Sequence, residues 1–291
     1  MLGTKEIKRR IRSVISIQQI TRAMQMIAVS RLKKAEDRLH SARPFAEKIQ
    51  EFMETLSPSL GSIRHPLLVK REVRNIGLVV ITSDKGLCGG YNANVLNHTH
   101  RFIEEHPGKG IRLILIGRKG HDSFRRKAYP IDYYLPQISK EISIEEVKEI
   151  TRAIIKGFQE GHYDEVDLIY TRFKTAMNTQ AARLKLLPLE RSEILKTGTG
   201  IRGEPLFEPE PDEIMALLLP KYLEAQVYRG LVESVASEQG ARMVSMKSAT
   251  ENAEEMKSSL TLSYNKARQA SITKELLEVT SGAEALRQAS E

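Results

Sequence analysis

Apolar side chains recur at alternating spacings of three and four residues near both ends of the chain. In the first part, this spacing runs through Ile7, Ile11 and Val14 and is unbroken from Leu32 to Leu56. Such a heptad pattern is typical of a helix that pairs with a second helix in a coiled coil. The sequence therefore predicts a long N-terminal helix that ends at residue 57.

Two features modify this first helix. Pro44 lies inside the heptad pattern, and because the spacing continues past it we expect a kink; two separate helices are the alternative. Polar residues interrupt the predicted contact seam at Gln18, Thr21 and Gln25, while a second apolar stripe runs through Ile20, Met24 and Ile27. A helix that is apolar on more than one side can face two partners at once.

The second heptad pattern occupies the end of the chain, where no proline follows Pro220. Its predicted seam consists of Met246, Ala249, Ala253, Met256, Leu260, Ser263, Ala267 and Lys274, with Ala270 and Ser271 beside the gap between the last two. Small side chains let two helices approach closely but bury little area. We predict a long helix over residues 212–291, bent or briefly interrupted at Pro220, that forms a slim pair with the first helix.

Between the two patterns, short β-branched runs alternate with helical segments. The predicted strands are Ile76–Thr82, Ile111–Ile116 and Val166–Phe173, and the predicted helices are Tyr91–Glu105 and Ile144–Phe158. Strands that alternate with helices imply a mostly parallel sheet covered by helices. The sequence thus predicts an α/β domain over residues 70–195, followed by a loop rich in glycine and proline.

Composition limits the functional classes. The chain has 45 Lys and Arg against 37 Asp and Glu, and most of the surplus lies in residues 1–40. A basic coiled-coil adaptor that binds nucleic acid is one alternative, but tryptophan is absent, aromatic residues are few and no known reading motif is present. No apolar run approaches the ~20 residues that a membrane span needs.

The loop Ser83–Gly90 is the most enzyme-like stretch, because it joins a strand to a helix and contains three glycines. It matches neither nucleotide-binding fingerprint. A nucleophilic Cys88 near a helix start is a second enzymatic hypothesis, although a buried thiol in a tight turn is commoner. The histidines have no zinc-site spacing. We therefore predict no catalytic residue, no cofactor and no metal ion.

Four separated motifs lead to a more specific interpretation. They are Ile17–Met24, Ser83–Asn92, Ser237–Met243 and Tyr264–Leu276. In this order they resemble the gamma subunit of F-type ATP synthase, and the resemblance extends over essentially the whole chain. It implies that the two terminal helices form an antiparallel coiled coil, with a Rossmann-like α/β domain at its base.

The resemblance also implies a function. Gamma subunits are central-stalk rotors that a proteolipid ring turns inside a hexamer of alpha and beta subunits as protons or sodium ions cross the membrane. They perform no bond chemistry themselves. We accordingly expect as partners the hexamer, an epsilon subunit and the ring, but not nucleic acid. We expect peripheral attachment, through the complex, to the cytoplasmic side of a bacterial inner membrane.

Residue by residue, the family's contacts with the hexamer map onto Met24, Arg268, Gln269 and Thr273. The segment Leu276–Leu286 corresponds to the tip that sits in the hexamer's apolar bearing. The loop Phe207–Pro211 resembles the foot that faces the ring and the epsilon subunit. Because Cys88 is the only cysteine, the chain lacks the cysteine pair with which chloroplast members are regulated.

Overall fold

A computed structural model describes residues 4–55, 65–136, 142–189 and 211–288. The chain forms two compact units, one made of Met1–Ile27 and Met243–Glu291 and the other of Ala28–Arg242. The elements are α1 (Thr4–Thr55), a 3₁₀ turn (Pro66–Leu68), β1 (Asn75–Ile81), α2 (Tyr91–Glu104), β2 (Gly110–Ile116), α3 (Arg118–Phe124), β3 (Ile131–Leu135), α4 (Ile144–Gln159), β4 (Glu165–Thr175), β5 (Asn178–Leu187) and α5 (Pro211–Gln288). The predicted domain limits at residues 57, 70, 195 and 212 stay a prediction.

The second unit contains a five-stranded sheet with the order β3-β2-β1-β4-β5. Strands β1 to β4 run parallel, and β5 pairs antiparallel with β4. Six of the seven residues of β1 are buried, as expected for a central strand covered on both faces. The predicted α/β class with a mostly parallel sheet is confirmed, whereas α3, β3 and β5 were missing from the prediction.

Helices cover both faces of this sheet. On one face, α4 and α5 pack against side chains that include Val79, Ile114 and Leu168. On the other face, Val95 and Phe102 of α2 pack against the remaining sheet positions. The two apolar layers account for the continuous β-branched runs in the sequence, because successive residues of a strand face opposite sides.

Tyr163 packs between strand β1 and helix α4 of the second unit. It is buried, and a Cβ atom placed on Gly77 of β1 or on Gly157 of α4 would lie 2.9 Å or 2.2 Å from its side chain. Only glycine leaves room for the ring at these two positions. Helix α4 itself starts with a capping box in which Ser143 and Glu146 bond each other's backbone amides.

In the first unit, α1 and α5 form an antiparallel pair. The hydroxyl oxygens of Thr21 and Thr250 lie 2.8 Å apart, and the side-chain amide of Gln18 donates to the carboxylate of Glu254. Partner numbers fall on α5 as they rise on α1, which shows the antiparallel direction. Gln18 and Thr21, two of the three polar residues that interrupt the predicted seam, therefore bond across it, and a polar pair within a helix seam fixes the register of the two helices.

The predicted seam is confirmed on α1, where Ile7, Val14 and Thr21 are buried. On α5, the prediction is correct at Met246, Ala253, Leu260 and Ala267, which are buried or half-buried. It is wrong at Met256, Ser263 and Lys274, which are exposed; the half-buried residues of these turns are Lys257, Tyr264 and Ser271. Because the residues of α5 are small and weakly apolar, either the predicted or the observed set of positions could face α1. The contact between Thr21 and Thr250 fixes the observed set.

Both prolines lie within continuous helices. Helix α1 runs through Pro44 and α5 runs through Pro220, so two separate helices at Pro44 and an interruption at Pro220 are wrong. The kink expected at Pro44 and the bend expected at Pro220 stay predictions. In each case one backbone hydrogen bond is lost while the helix continues on both sides. The predicted seam side chains of Ala46, Met53 and Leu56 lie outside the described residues.

Asp167 is a buried acid beneath α2. Its side chain is 0% exposed, and both of its oxygens accept hydrogen bonds from Arg183, at 2.8 Å and 3.0 Å. The guanidinium of Arg183 lies 4.7 Å from the ring centre of Phe102 and also pairs with Glu165. Burial raises the pKa of Asp167 to about 6 even though Arg183 opposes the shift.

This pKa predicts a specific pH dependence. A raised pKa in the folded state means that the contribution of Asp167 to stability is fully present below about pH 4 and is lost as pH rises through about 6. We expect Asp167→Asn to remove this loss, which is roughly 2–3 kcal/mol. Denaturant unfolding between pH 4 and 7 measures it. The control Asp122→Asn, at an exposed position, should show the same change of unfolding free energy with pH as the wild type. If wild type and Asp167→Asn also showed the same change with pH, the expectation would be contradicted.

Candidate partner-binding surfaces

The loop between β1 and α2 is held rigidly by its neighbours. The backbone amide of Ser83 donates to the side-chain oxygen of Asn92 at 3.0 Å, and the Asn92 amide donates to the Ser83 hydroxyl at 2.7 Å. From the start of α3, the backbone amide of Arg118 donates to Asp84 at 3.1 Å. Leu87, exposed at the turn, has a left-handed φ of 62°. The loop thus has a fixed shape that depends on its own side chains.

Cys88 is part of this internal network. It is buried, and its sulfur lies 3.3 Å from the side-chain nitrogen of Asn92 and 3.8 Å from the hydroxyl of Ser83. Reactive cysteines lie in partly exposed, electropositive surroundings. The position of Cys88 is that of a small buried thiol in a tight turn, which was the preferred interpretation of the sequence.

The second and third motifs meet at this loop. The guanidinium of Arg242 on α5 donates to the backbone carbonyls of Lys85 and Gly86, at 3.2 Å each, and to the carboxylate of Glu238 at 2.6 Å. The Arg242 and Glu238 side chains are only 10% and 15% exposed. Burial raises the pKa of Glu238, while Arg242 acts in the opposite direction. No pattern in the sequence predicts this contact, which joins segments more than 150 residues apart.

Further bonds attach α5 to the backbone of β4. The hydroxyl of Ser234 accepts from the amide of Thr171 at 3.3 Å, and the Ser237 hydroxyl donates to the carbonyl of the same residue at 3.3 Å. The carboxylate of Glu233 accepts from the amide of Phe173 at 3.1 Å. These α5 side chains are buried. Helix α5 is therefore fixed to the sheet by polar bonds as well as by apolar packing.

The predicted partner contacts lie in the first unit. Arg268, Gln269 and Thr273 are exposed, and Met24 is half-buried. The Thr21–Thr250 contact places Met24 level with about residue 247, so roughly 30 Å of helix separates it from Arg268. The structure does not bring the four residues together; it separates them into two levels along the helix pair.

The end of α5 exposes several large apolar side chains. They are Ile272, Leu276, Leu277 and Val279. Three of them follow a helical spacing of four and three residues, which places them on one stripe. The predicted tip segment continues to Leu286, whose side chain lies outside the described residues, as does the predicted foot loop that begins at Phe207.

Comparison with known proteins identifies the family. A family model described as ATP synthase matches residues 3–286. The chain is 44% identical to the ATP synthase gamma chain of Heliobacterium modesticaldum, over 98% of this chain and 100% of that one. It is 42% identical to the gamma chain of Desulfitobacterium hafniense, with the same two coverages. The chain belongs to the ATP synthase gamma chain family.

Solved structures agree with this assignment. The central stalk and c-ring structure of the mitochondrial ATP synthase of Tetrahymena thermophila contains a chain that is 29% identical, with a TM-score of 0.60 over 79% of this chain and 99% of that chain. A chain of the Euglena gracilis mitochondrial ATP synthase is 17% identical, with a TM-score of 0.68 over 99% of this chain and 96% of that one. The second likeness concerns the fold alone.

Family membership confirms the function predicted from the sequence. The chain is a central-stalk rotor subunit, a non-catalytic component of the ATP synthase complex. The enzymatic hypotheses for the Ser83–Gly90 loop and for Cys88 are therefore wrong. Within the described part of the chain, no helix combines the length and the apolar character that crossing a membrane requires.

Proposed function

We propose that this chain is the rotating shaft of a bacterial ATP synthase, turned inside a hexamer of alpha and beta subunits. The observation that carries the proposal is the attachment of α5 to the sheet. Arg242, Glu233 and Ser237 bond this single helix to the loop and strand of the α/β unit, and the same helix continues to Gln288. A torque applied to the α/β unit would thus pass into the helix without a flexible joint at these contacts.

The hexamer would contact the shaft at two levels. Met24 supplies a half-buried contact at the lower level, and Arg268, Gln269 and Thr273 supply exposed polar contacts at the upper level. Scattered polar contacts suit a bearing, because one strong hot spot would hold the shaft in a single pose. The exposed apolar stripe through Leu276 supports the assignment of this end of α5 to the apolar bearing of the hexamer.

The remaining partners follow from the predicted foot. We assign the region around Phe207 to contacts with the proteolipid ring and an epsilon subunit. The passage of protons or sodium ions across the membrane would turn this ring. The chain would be bound to the cytoplasmic side of the inner membrane through this complex. The basic α1, with exposed residues such as Lys8 and Arg12, would be drawn to acidic loops of the hexamer.

A matched pair of variants tests the upper level. We expect Arg268→Ala or Gln269→Ala to lower the ratio of ion pumping to ATP hydrolysis in membrane vesicles by about threefold, because one contact that differs between rotor poses is lost. The melting temperature should not change, since these side chains are exposed. Lys266→Ala, an exposed change two residues away, should leave the ratio unaltered. Normal coupling in both test variants would refute the assignment.

A further inference from the structure

A lysine and a histidine meet on the surface of the α/β unit. The Nζ atom of Lys127, in the turn that follows α3, lies 3.0 Å from Nε2 and 3.5 Å from Nδ1 of His100 on α2. Lys127 is exposed and His100 is half-buried. Neither residue belongs to the partner-binding surfaces described above. The pair places an amine, which is a potential nucleophile, beside a potential base.

The buried ring of Phe124 holds both side chains in place. The ring centres of His100 and Phe124 are 5.1 Å apart, and Nζ of Lys127 lies 5.4 Å from the centre of the Phe124 ring. The backbone amide of Lys127 also donates to the carbonyl of Phe124 at 2.8 Å, which fixes the turn. The amine and the imidazole are therefore oriented towards each other before any reagent binds.

The imidazole of His100 can accept a proton. Burial and the positive charge of Lys127 lower the pKa of His100, whereas Glu104 acts in the opposite direction. The imidazole is therefore uncharged at neutral pH, and one of its ring nitrogens has a free lone pair. A lysine amine that attacks an acyl group must lose a proton during the reaction. A base within hydrogen-bond distance of the nitrogen accelerates this step.

The chain directly before Lys127 is strongly basic. Arg125 and Arg126 are both exposed. Arg125 has only a weak surface pair with Asp122, at 3.8 Å, and Arg126 forms no ion pair with another described residue. Guanidinium groups bind phosphate oxygens well. These neighbours therefore favour an acyl donor whose leaving group is a phosphate.

We propose that Lys127 is a site of covalent acylation by small acyl phosphates, with His100 as the base and Arg126 holding the phosphate. Nζ attacks the carbonyl carbon of the acyl group, a C–N bond forms, and the C–O bond to the phosphate breaks. The phosphate leaves with the electron pair of this bond. Nζ loses two protons, one to water when the ammonium becomes an amine and one to His100 during the attack. The leaving phosphate takes up one proton, and the product is an uncharged amide.

Incubation of the full chain with acetyl phosphate at neutral pH, followed by mass spectrometry of its peptides, measures the reaction at each lysine. We expect Lys127 to be acetylated about tenfold faster than Lys119. Lys119 is a matched internal control, because it is an exposed lysine of α3 next to an arginine, Arg118, but forms no side-chain hydrogen bond with another described residue. Equal rates at the two lysines would overturn the proposal.

A histidine variant tests the role of the base. Glutamine at position 100 can still accept a hydrogen bond from Lys127 but cannot take up its proton. His100→Gln should therefore lower the rate at Lys127 to that at Lys119, while the rate at Lys119 in the same sample stays constant and shows that the fold is intact. His98→Gln, a change at another half-buried histidine of α2, should leave both rates unaltered. An unchanged rate at Lys127 in His100→Gln would overturn the proposal.

The class of acyl donor is tested with Arg126→Gln. This variant should lower the rate at Lys127 by about threefold with acetyl phosphate, because a guanidinium that binds the phosphate is lost. With the acetyl thioester of N-acetylcysteamine, which carries no phosphate, the same variant should react as fast as the wild type. An equal loss with both donors, or no loss with acetyl phosphate, would overturn the assignment of acyl phosphates as the donors.

Discussion

Replacing Arg242 by alanine is expected to lower the free energy of unfolding of the chain by about 3 kcal/mol, because the change leaves a buried carboxylate without its partner. The guanidinium holds Glu238 and the carbonyls of Lys85 and Gly86, and both charged side chains are at least 85% buried. Denaturant unfolding followed by circular dichroism measures the loss. A decrease below about 1 kcal/mol would show that the contact is dispensable.

The effect of Arg242→Ala should depend on pH and on Glu238. Burial raises the pKa of Glu238, and removing Arg242 takes away a group that opposes this shift. The variant should therefore recover stability as the pH falls and the carboxylate becomes neutral. The double variant Arg242→Ala with Glu238→Gln should be more stable than Arg242→Ala alone at neutral pH. Arg125→Ala is the control, because Arg125 and its partner Asp122 are 50% and 43% exposed, so no buried carboxylate loses its partner.

Replacing Gly157 by alanine is expected to cost about 2–3 kcal/mol through overpacking. The added Cβ would lie 2.2 Å from the hydroxyl oxygen of Tyr163, whose ring is confined on its other side by Gly77. Neither the ring nor the helix can move without disturbing the core. Thermal unfolding of the full chain measures this loss.

Gly282→Ala is the matched control for Gly157→Ala. It is also a glycine-to-alanine change in a helix, but no atom lies within 4 Å of the added Cβ. It should stabilise the chain by up to about 1 kcal/mol, because alanine has the higher helix propensity. If both variants change stability in the same direction, the confinement of Tyr163 does not explain the cost at Gly157.

The sequence predicted those elements that have a strong periodic signal. The α1 seam and the strands β1, β2 and β4 consist of residues whose burial follows from their own apolar character. Strand β5, in contrast, mixes alternating polar residues such as Gln180 and Arg183 with small ones, and α3 is only seven residues long. Neither element has a hydrophobic periodicity that distinguishes it from a loop. The formation of both therefore depends on contacts with the rest of the fold, which the local sequence does not reveal.

The candidate surfaces were predictable to a smaller extent. Resemblance to the family supplied Met24, Arg268, Gln269 and Thr273. The last three are exposed and Met24 is half-buried, and the role of all four in contacts stays a prediction. The bonds from Arg242 to Lys85 and Gly86 join segments more than 150 residues apart, and they involve backbone carbonyls that any sequence provides. Such contacts are set by the tertiary structure and not by the local sequence.

Single-molecule rotation tests the central claim most directly. The full chain carrying Met177→Cys and Cys88→Ser would be assembled with immobilised alpha and beta subunits, and a bead would be attached at the exposed hairpin between β4 and β5. The proposed function predicts that the bead turns in one direction when ATP is added and stops when ATP is removed. An assembly that hydrolyses ATP while the bead stays still would contradict the assignment of this chain as the rotating shaft.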